Sequence, residues 1–232
     1  MTERIDKWLS SRSSYSRKDV KALMKSGRVR INGVIVTDAG FHTADSDIVT
    51  VDGVIFSSEK HVYIMQNKPK GVVSVSSAPG DTTVIDLLPQ DLRRSGLFPA
   101  GRLDRDTTGF VLITDDGDFA HRILSPRSHV TKTYIATLRD PAEESYVTAF
   151  RNGVVLGDGT HCLAADIEFT DLPNKVVVRL HEGRYHQVKR MFAALGNAVV
   201  ELHRAQIGGL PLDISLSPGE SRLLTADEVE QI

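Results

Sequence analysis

The stretch Gly101-Arg102-Leu103-Asp104-Arg105-Asp106-Thr107-Thr108-Gly109 runs without interruption into Phe110-Val111-Leu112-Ile113. A polar loop bounded by glycines and followed by four consecutive apolar residues reads as a turn that delivers the chain into a strand. It constrains the fold strongly, because the strand has to be buried while the carboxylates just before it stay in a polar loop.

The chain has 232 residues, enough for one large domain or two smaller ones, and is 41% hydrophobic and 25% charged, as expected of a soluble globular protein. A single cysteine, Cys162, excludes an intrachain disulfide and a Cys-rich zinc site. The charged start, Met1-Thr2-Glu3-Arg4-Ile5-Asp6-Lys7, is unlike a secretory signal, and no apolar run approaches a membrane span. A reducing, cytoplasmic setting is expected. The net charge is only −2, but between Arg4 and Arg30 nine basic residues face two acidic ones, a local +7 that leaves −9 for the remainder. This is the pattern of a small basic module joined to a mildly acidic body.

In chain order, Ile5, Trp8 and Leu9 fall at helical spacing. Ser16 caps a second helix with Asp19 three residues on, Val20, Leu23 and Met24 inside, and Gly27 as its stop. Arg17, Lys21 and Lys25 share an exposed face beside Lys18; such a stripe is either a solvated surface or a phosphate-binding ridge. Two hairpins follow, turning at Asn32-Gly33 and Asp52-Gly53. Ser57 to Lys60 reads as a linker, so domains of residues 1–60 and 61–232 are expected. Beyond it the pattern predicts a strand from Val62 to Met65, a turn over Asn67 to Gly71, a short helix over Val84 to Leu88, and a helix capped by Asp118 and ended by Pro126. It then predicts a strand over Lys132 to Leu138, a helix opened by Pro141 and stopped by Gly153, and paired strands at Ile167 to Phe169 and Lys175 to Leu180. A helix carrying Val188, Met191 and Phe192 and strands at Ala198 to Leu202 and Ile214 to Leu216 complete the body. The fold class expected is α+β.

No Walker-type or dinucleotide glycine loop is present, and no His-Glu-x-x-His pair. Asp104, Asp106, Thr108, Gly109 and Asp115 match part of a calcium-loop register, but the final ligand is Asp rather than Glu and Leu112 occupies a ligand position. No metal site is expected.

The segment Gly101 to Gly117 closely resembles the hallmark segment of pseudouridine synthases. The likeness continues at Lys132-Thr133-Tyr134, at Glu182-Gly183-Arg184-Tyr185-His186-Gln187-Val188-Lys189-Arg190-Met191, and at Arg204 to Gly209. The first quarter resembles the S-four RNA-binding domain, through Arg4 to Leu9, Ser16-Arg17 and Ser26 to Gly33. The resemblance implies a larger domain built on a mainly antiparallel mixed sheet with flanking helices, behind a small S-four-like α+β domain. It implies Asp104 as the catalytic carboxylate, either attacking the ribose or removing a sugar proton, with Tyr134 stacking on the detached uracil and Lys189, or else Arg190, as the cation that keeps Asp104 ionised. Arg102 is expected to face the RNA and fill the space of a flipped-out uridine. Arg17, Lys18, Lys21, Lys25, Arg28, Arg30, Arg184 and Arg190 are expected on the RNA side. The isomerisation is neither a redox reaction nor a net hydrolysis, so no cofactor is expected. Within the family the likeness is greatest to the ribosomal subgroup acting on 16S rRNA, at uridine 516, on free rRNA or an assembling small subunit and as a monomer. A 23S target and a non-catalytic RNA-binding or assembly protein are the alternatives.

Overall fold

The first structural unit is made of short elements held by local chemistry. The computed structural model describes residues 2–56, 59–125 and 128–232. Strand β1 (Thr2–Arg4) leads into helix α1 (Ile5–Ser11), and α2 (Arg17–Lys25) follows. Ser16 and Asp19 form a reciprocal capping box on α2, as the sequence predicts. Strands β2 (Val29–Ile31) and β3 (Val34–Ile35) turn through Asn32 and Gly33, both at positive φ, which suits the right-handed twist of a two-residue hairpin. Strand β4 (His42–Ala44) pairs with β1, and β5 (Val49–Val51) and β6 (Val54–Phe56) complete a sheet of order β3-β2-β5-β6. Ile5, Trp8, Leu9, Val20, Met24, Val29 and Val49, all fully buried, form the core between the helices and this sheet. The β1–β4 pair has no counterpart among the predicted elements; Thr-Glu-Arg carries no strand alternation, and its partner lies some forty residues on. Of the linker expected over Ser57 to Lys60, Ser57 and Ser58 lie outside the described residues, and Glu59 and Lys60 belong to no helix or strand.

The larger unit begins with β7 (Tyr63–Lys68), β8 (Phe98–Pro99) and β9 (Thr108–Thr114), then α3 (Gly117–Leu124) and β10 (Lys132–Leu138). It continues with α4 (Ser145–Asn152), β11 (Asp166–Phe169), β12 (Lys175–Leu180), α5 (Gln187–Ala194) and β13 (Val199–Ile207), and ends with β14 (Leu210–Pro211), β15 (Ser221–Leu223) and α6 (Ala226–Glu230). The sheet has the order β11-β12-β10-β13-β9-β7-β15, with β14 beside β13 and β8 beside β9. Among the described pairings within it, only β9 with β13 is parallel. Strand β9 explains its unbroken apolar sequence: Val111 and Ile113 pack into a core with Ile64, Val84 and Leu88, while Phe110 and Leu112 pack on the other face with Met65, Phe119 and Ile123. A strand covered on both sides has no polar face to present. A further core between the sheet and α4 and α5 contains Phe150, Val176, Met191 and Phe192.

Several local expectations are corrected. Strand β7 runs to Lys68, so the turn starts at Pro69 and not Asn67. Val84 to Leu88 forms turns rather than a helix; Asp86 accepts from the Thr83 amide and hydroxyl, and this local bonding competes with helix propagation. Asp116, not Asp118, caps α3, accepting from the Phe119 amide at 3.0 Å. Pro126, expected to end that helix, lies outside the described residues. Pro141 precedes α4 by four positions instead of opening it. Ile214 to Leu216 is no strand: Asp213 accepts from the Ser215 amide and hydroxyl, and Ile214 stands fully exposed. The two units meet at Ser95, whose amide donates to Ser13 O (2.9 Å) and whose hydroxyl donates to Ser10 O (3.1 Å). No helix among the described residues is long and apolar enough to cross a membrane.

Candidate active site

The loop ahead of β9 is held from beneath. Lys68, fully buried, donates from Nζ to Thr107 O (2.7 Å), Pro69 O (3.0 Å) and Arg105 O (3.3 Å). The Gly71 amide bonds Arg105 O, Ser74 Oγ accepts from the Leu103 amide, and Arg105 pairs with Asp81 at 2.6 Å. Leu103 points into the core while Arg102 stays exposed. Alternating burial along Arg102-Leu103-Asp104 thus leaves the Asp104 carboxylate, about one-quarter exposed, on the cavity side of a fixed backbone.

That cavity has a volume of about 730 Å3, within the usual range for a small-molecule site and enough for a nucleotide. Its lining includes Arg102, Asp104, Lys132, Tyr134, Arg184 and Arg204. Helix α5 approaches from the other side. Lys189 Nζ lies 3.4 Å from Asp104 Oδ2 and 2.6 Å from Asp106 Oδ1, and His186 Nε2 lies 3.3 Å from Asp104 Oδ1. The Lys189 ammonium holds the Asp106 carboxyl below the usual carboxylate range. Lys189, more than eighty residues from Asp104 in sequence, is therefore its neighbour in space. The alternative cation, Arg190, pairs instead with Asp158 at 2.5 Å.

In the sequence His186 is one residue of the Glu182 to Met191 motif, with no role assigned to it. It is the residue before α5, its backbone is left-handed (φ 50°), and this turns the ring toward Asp104. The preceding loop is organised by Glu182, which is buried and accepts from the Leu163 amide, Gln187 Nε2 and Arg184 Nε within 2.7–2.9 Å. Arg184, expected to face RNA, is half-exposed and tied to Glu182 at 2.9 Å.

Tyr134 sits on β10 between two cores, in contact with both. Its cross-strand partner on β13 is Arg204, which in turn lies opposite Gly109 on β9. Arg204 is buried and donates from Nε to Phe110 O (2.7 Å). Lys132 is also buried, with a weak bond from Nζ to Ile123 O (3.4 Å). Burial, and then the charge of Arg204, bring the Lys132 ammonium down to about 8.

Lys132 supplies a pH test. Its folded value of about 8 lies below the ordinary 10.5, so between these values the unfolded chain binds more protons than the folded one. Stability contributed by this group therefore rises as pH rises through that window. The expected result is that Lys132→Met, of similar shape but uncharged, removes this rise. Thermal melts of both proteins stepped across the window check it; identical pH slopes would count against the assignment.

On the small unit, Arg17, Lys18, Lys21 and Lys25 are exposed, and none of the four has a carboxylate within ion-pair distance among the described residues. Arg28 differs: it is bound to Asp52 through both nitrogens of its fork. Arg30 donates to Gly33 O. No group of three or more metal-ligating side chains occurs among the described residues.

A carboxylate flanked by an ammonium and an imidazole thus stands on a cavity large enough for a nucleotide, with a tyrosine in its wall. Comparison with known proteins identifies the family. Residues 62–194 match the RNA pseudouridylate synthase family and residues 3–49 match the S4 domain. The chain is 41% identical to ribosomal small subunit pseudouridine synthase A of Escherichia coli, over 99% of both chains. It is 43% identical to an uncharacterised RNA pseudouridine synthase of Bacillus subtilis, covering 97% of this chain and 96% of the other. A crystal structure of a pseudouridylate synthase superposes with a TM-score of 0.69 at 42% identity, over 98% of both chains. The chain belongs to the RNA pseudouridine synthase family and is a pseudouridine synthase carrying an N-terminal S4 domain.

Proposed function

We propose that this enzyme converts uridine 516 of 16S rRNA to pseudouridine, with Asp104 acting on the ribose of a flipped-out uridine. The observation that carries the reading is the placement of Asp104 between His186 and Lys189, at 3.3 and 3.4 Å, on the cavity that Tyr134 also lines. An ammonium and an imidazole beside one carboxylate fix its position on the cavity wall, next to where the sugar of the target would lie. Tyr134 offers a ring on which the detached uracil can stack while it turns. Arg102, exposed at the rim, is suited to the space the uridine vacates. The small-subunit target is supported by the 41% identity to the Escherichia coli enzyme named for it.

In this reading residues 1–60 are the RNA-binding domain and 61–232 the catalytic domain. Arg17, Lys18, Lys21 and Lys25 supply most of the phosphate contacts of the former. Arg28, neutralised by Asp52, contributes only if that pair opens. Arg30, Arg184 and Arg190 lie along the RNA path. The enzyme acts as a cytoplasmic monomer on 16S rRNA or the assembling small subunit. Mapping pseudouridine across 16S and 23S rRNA in cells lacking the protein tests this. Position 516 is expected to revert to uridine and to be restored by the wild-type gene. Loss of a 23S site instead would move the target, and loss of none would overturn the reading.

A further inference from the structure

Tyr185 is 76% exposed, a large aromatic ring left in solvent at the mouth of the cavity. It is not loose. Its ring is stacked on that of His186, with centroids 3.8 Å apart and planes 17° from parallel. His186 in turn lies 3.3 Å from Asp104. The backbone beneath is braced on both sides. Arg184 N donates to Gln187 Oε1 (2.9 Å), and the Tyr185 carbonyl accepts from Arg190 Nη1 (3.4 Å). Among the described residues the only ring stacked on Tyr185 is His186. One face of the tyrosine is therefore covered and the other is free.

We propose that the Tyr185–His186 stack is a platform for the base directly adjoining the target uridine in the RNA strand. This rests on the reading of the protein as an RNA-modifying enzyme. Flipping one nucleotide out of a stack uncovers a face of its neighbour, and that lost stacking is a cost of reaching the target. Tyr134 lies within the cavity and serves the target base. Tyr185 lies at the rim, where the flanking nucleotide must pass. An aromatic ring there restores a stacking partner for any base, because every base has a π face. The same stack holds the imidazole of His186 between Tyr185 and Asp104, so base docking outside is mechanically linked to the group beside the reacting carboxylate. Tyr185 is in this sense a positioning residue for the RNA rather than a catalytic one.

The test measures binding of a 16S fragment spanning uridine 516 to the full chain carrying Asp104→Asn, so that turnover does not enter. Adding Tyr185→Ala is expected to weaken binding by roughly 5- to 100-fold, the range of a lost base–aromatic stack. Tyr185→Phe, which keeps the ring, is expected to restore it. Replacing the base on one side of the target by an abasic nucleotide should weaken binding similarly, and on that RNA Tyr185→Ala should add no more than about twofold. Unchanged binding by Tyr185→Ala, or an equal loss on every abasic RNA, would overturn the platform. Absence of pseudouridine formation by the wild-type protein on the intact fragment would instead strike at the proposed function, leaving the binding result to stand.

Discussion

Asp104→Asn is expected to abolish pseudouridine formation while leaving RNA affinity within about twofold, a separation that pure binding residues cannot produce. The substitution keeps shape and removes charge. Lys189 stays anchored, because its closer partner is Asp106 at 2.6 Å and not Asp104 at 3.4 Å. The loop backbone stays in place as well, held by the three carbonyl contacts of Lys68. Removing a negative charge near phosphates works against weaker binding. What is lost is the carboxylate proposed to attack the ribose or take its proton, so the single-turnover rate should fall by about 10⁴-fold or more, the scale seen when a nucleophile is removed. Quench-flow or manual sampling of pseudouridine, with filter binding in parallel, gives both numbers. Residual conversion above about 1% of the wild-type rate would exclude a direct role for Asp104. Asp106 is the informative companion: it is more exposed than Asp104 and bound to the same ammonium, so its loss should disturb Lys189 rather than remove the reacting group.

Which features were legible in the sequence depended on the distance over which their causes act. The Ser16–Asp19 cap, the Asn32-Gly33 turn and the strand Lys132–Leu138 are set by residues within a few positions, and the structure reproduces them. The apolar run after Gly109 announced a buried strand, and β9 is buried on both faces. Features set across the sheet were not legible. Lys68 looked like a turn lysine because Pro69 follows it; only the folded loop brings three carbonyls to its ammonium. The approach of His186 to Asp104 was not legible, since a left-handed backbone at a histidine has no sequence signature. Short range was no guarantee either: Ile214-Ser215-Leu216 has strand alternation, but Asp213 accepts from Ser215 two positions on and closes a turn first. For the site, the family motifs pointed to Asp104, Tyr134 and Lys189, and the fold brings Asp104 and Lys189 together. The closer Asp106 contact and the Tyr185–His186 stack needed coordinates, because Lys189 and Asp106 are 83 positions apart and stacking depends on ring orientation.

Gly109→Ala is expected to be strongly damaging to the catalytic unit. Gly109 has φ 102°, outside the regions open to residues with a side chain. A methyl there would sit 2.4 Å from Arg204 O and 2.8 Å from Arg204 N, both backbone atoms. Neither can move aside freely. Arg204 is in the middle of β13, paired to Tyr134 on β10 and to Gly109 itself through the parallel register with β9. Its side chain is also fixed, by the 2.7 Å bond to Phe110 O. Backbone strain of about 1–3 kcal/mol adds to overpacking of about 1–3 kcal/mol. A total of several kcal/mol corresponds to a fall in melting temperature of about 10 °C or more for a domain of this size. Gly117→Ala is the matched control: no heavy atom lies within 4 Å of its added methyl, and it begins α3, so its melting temperature should stay at or slightly above wild type. The damage should also reach function below the melting point. Forcing β9 away from β13 shifts the loop carrying Asp104 relative to Tyr134, whose position is set by the opposite edge of β13. Thermal melts of the two alanine variants, with activity assayed at a temperature where both are folded, separate these effects. A Gly109→Ala protein that melts with wild type would mean that the parallel pairing yields easily, and that Asp104 and Tyr134 are held in place by something other than the contact of Gly109 with Arg204.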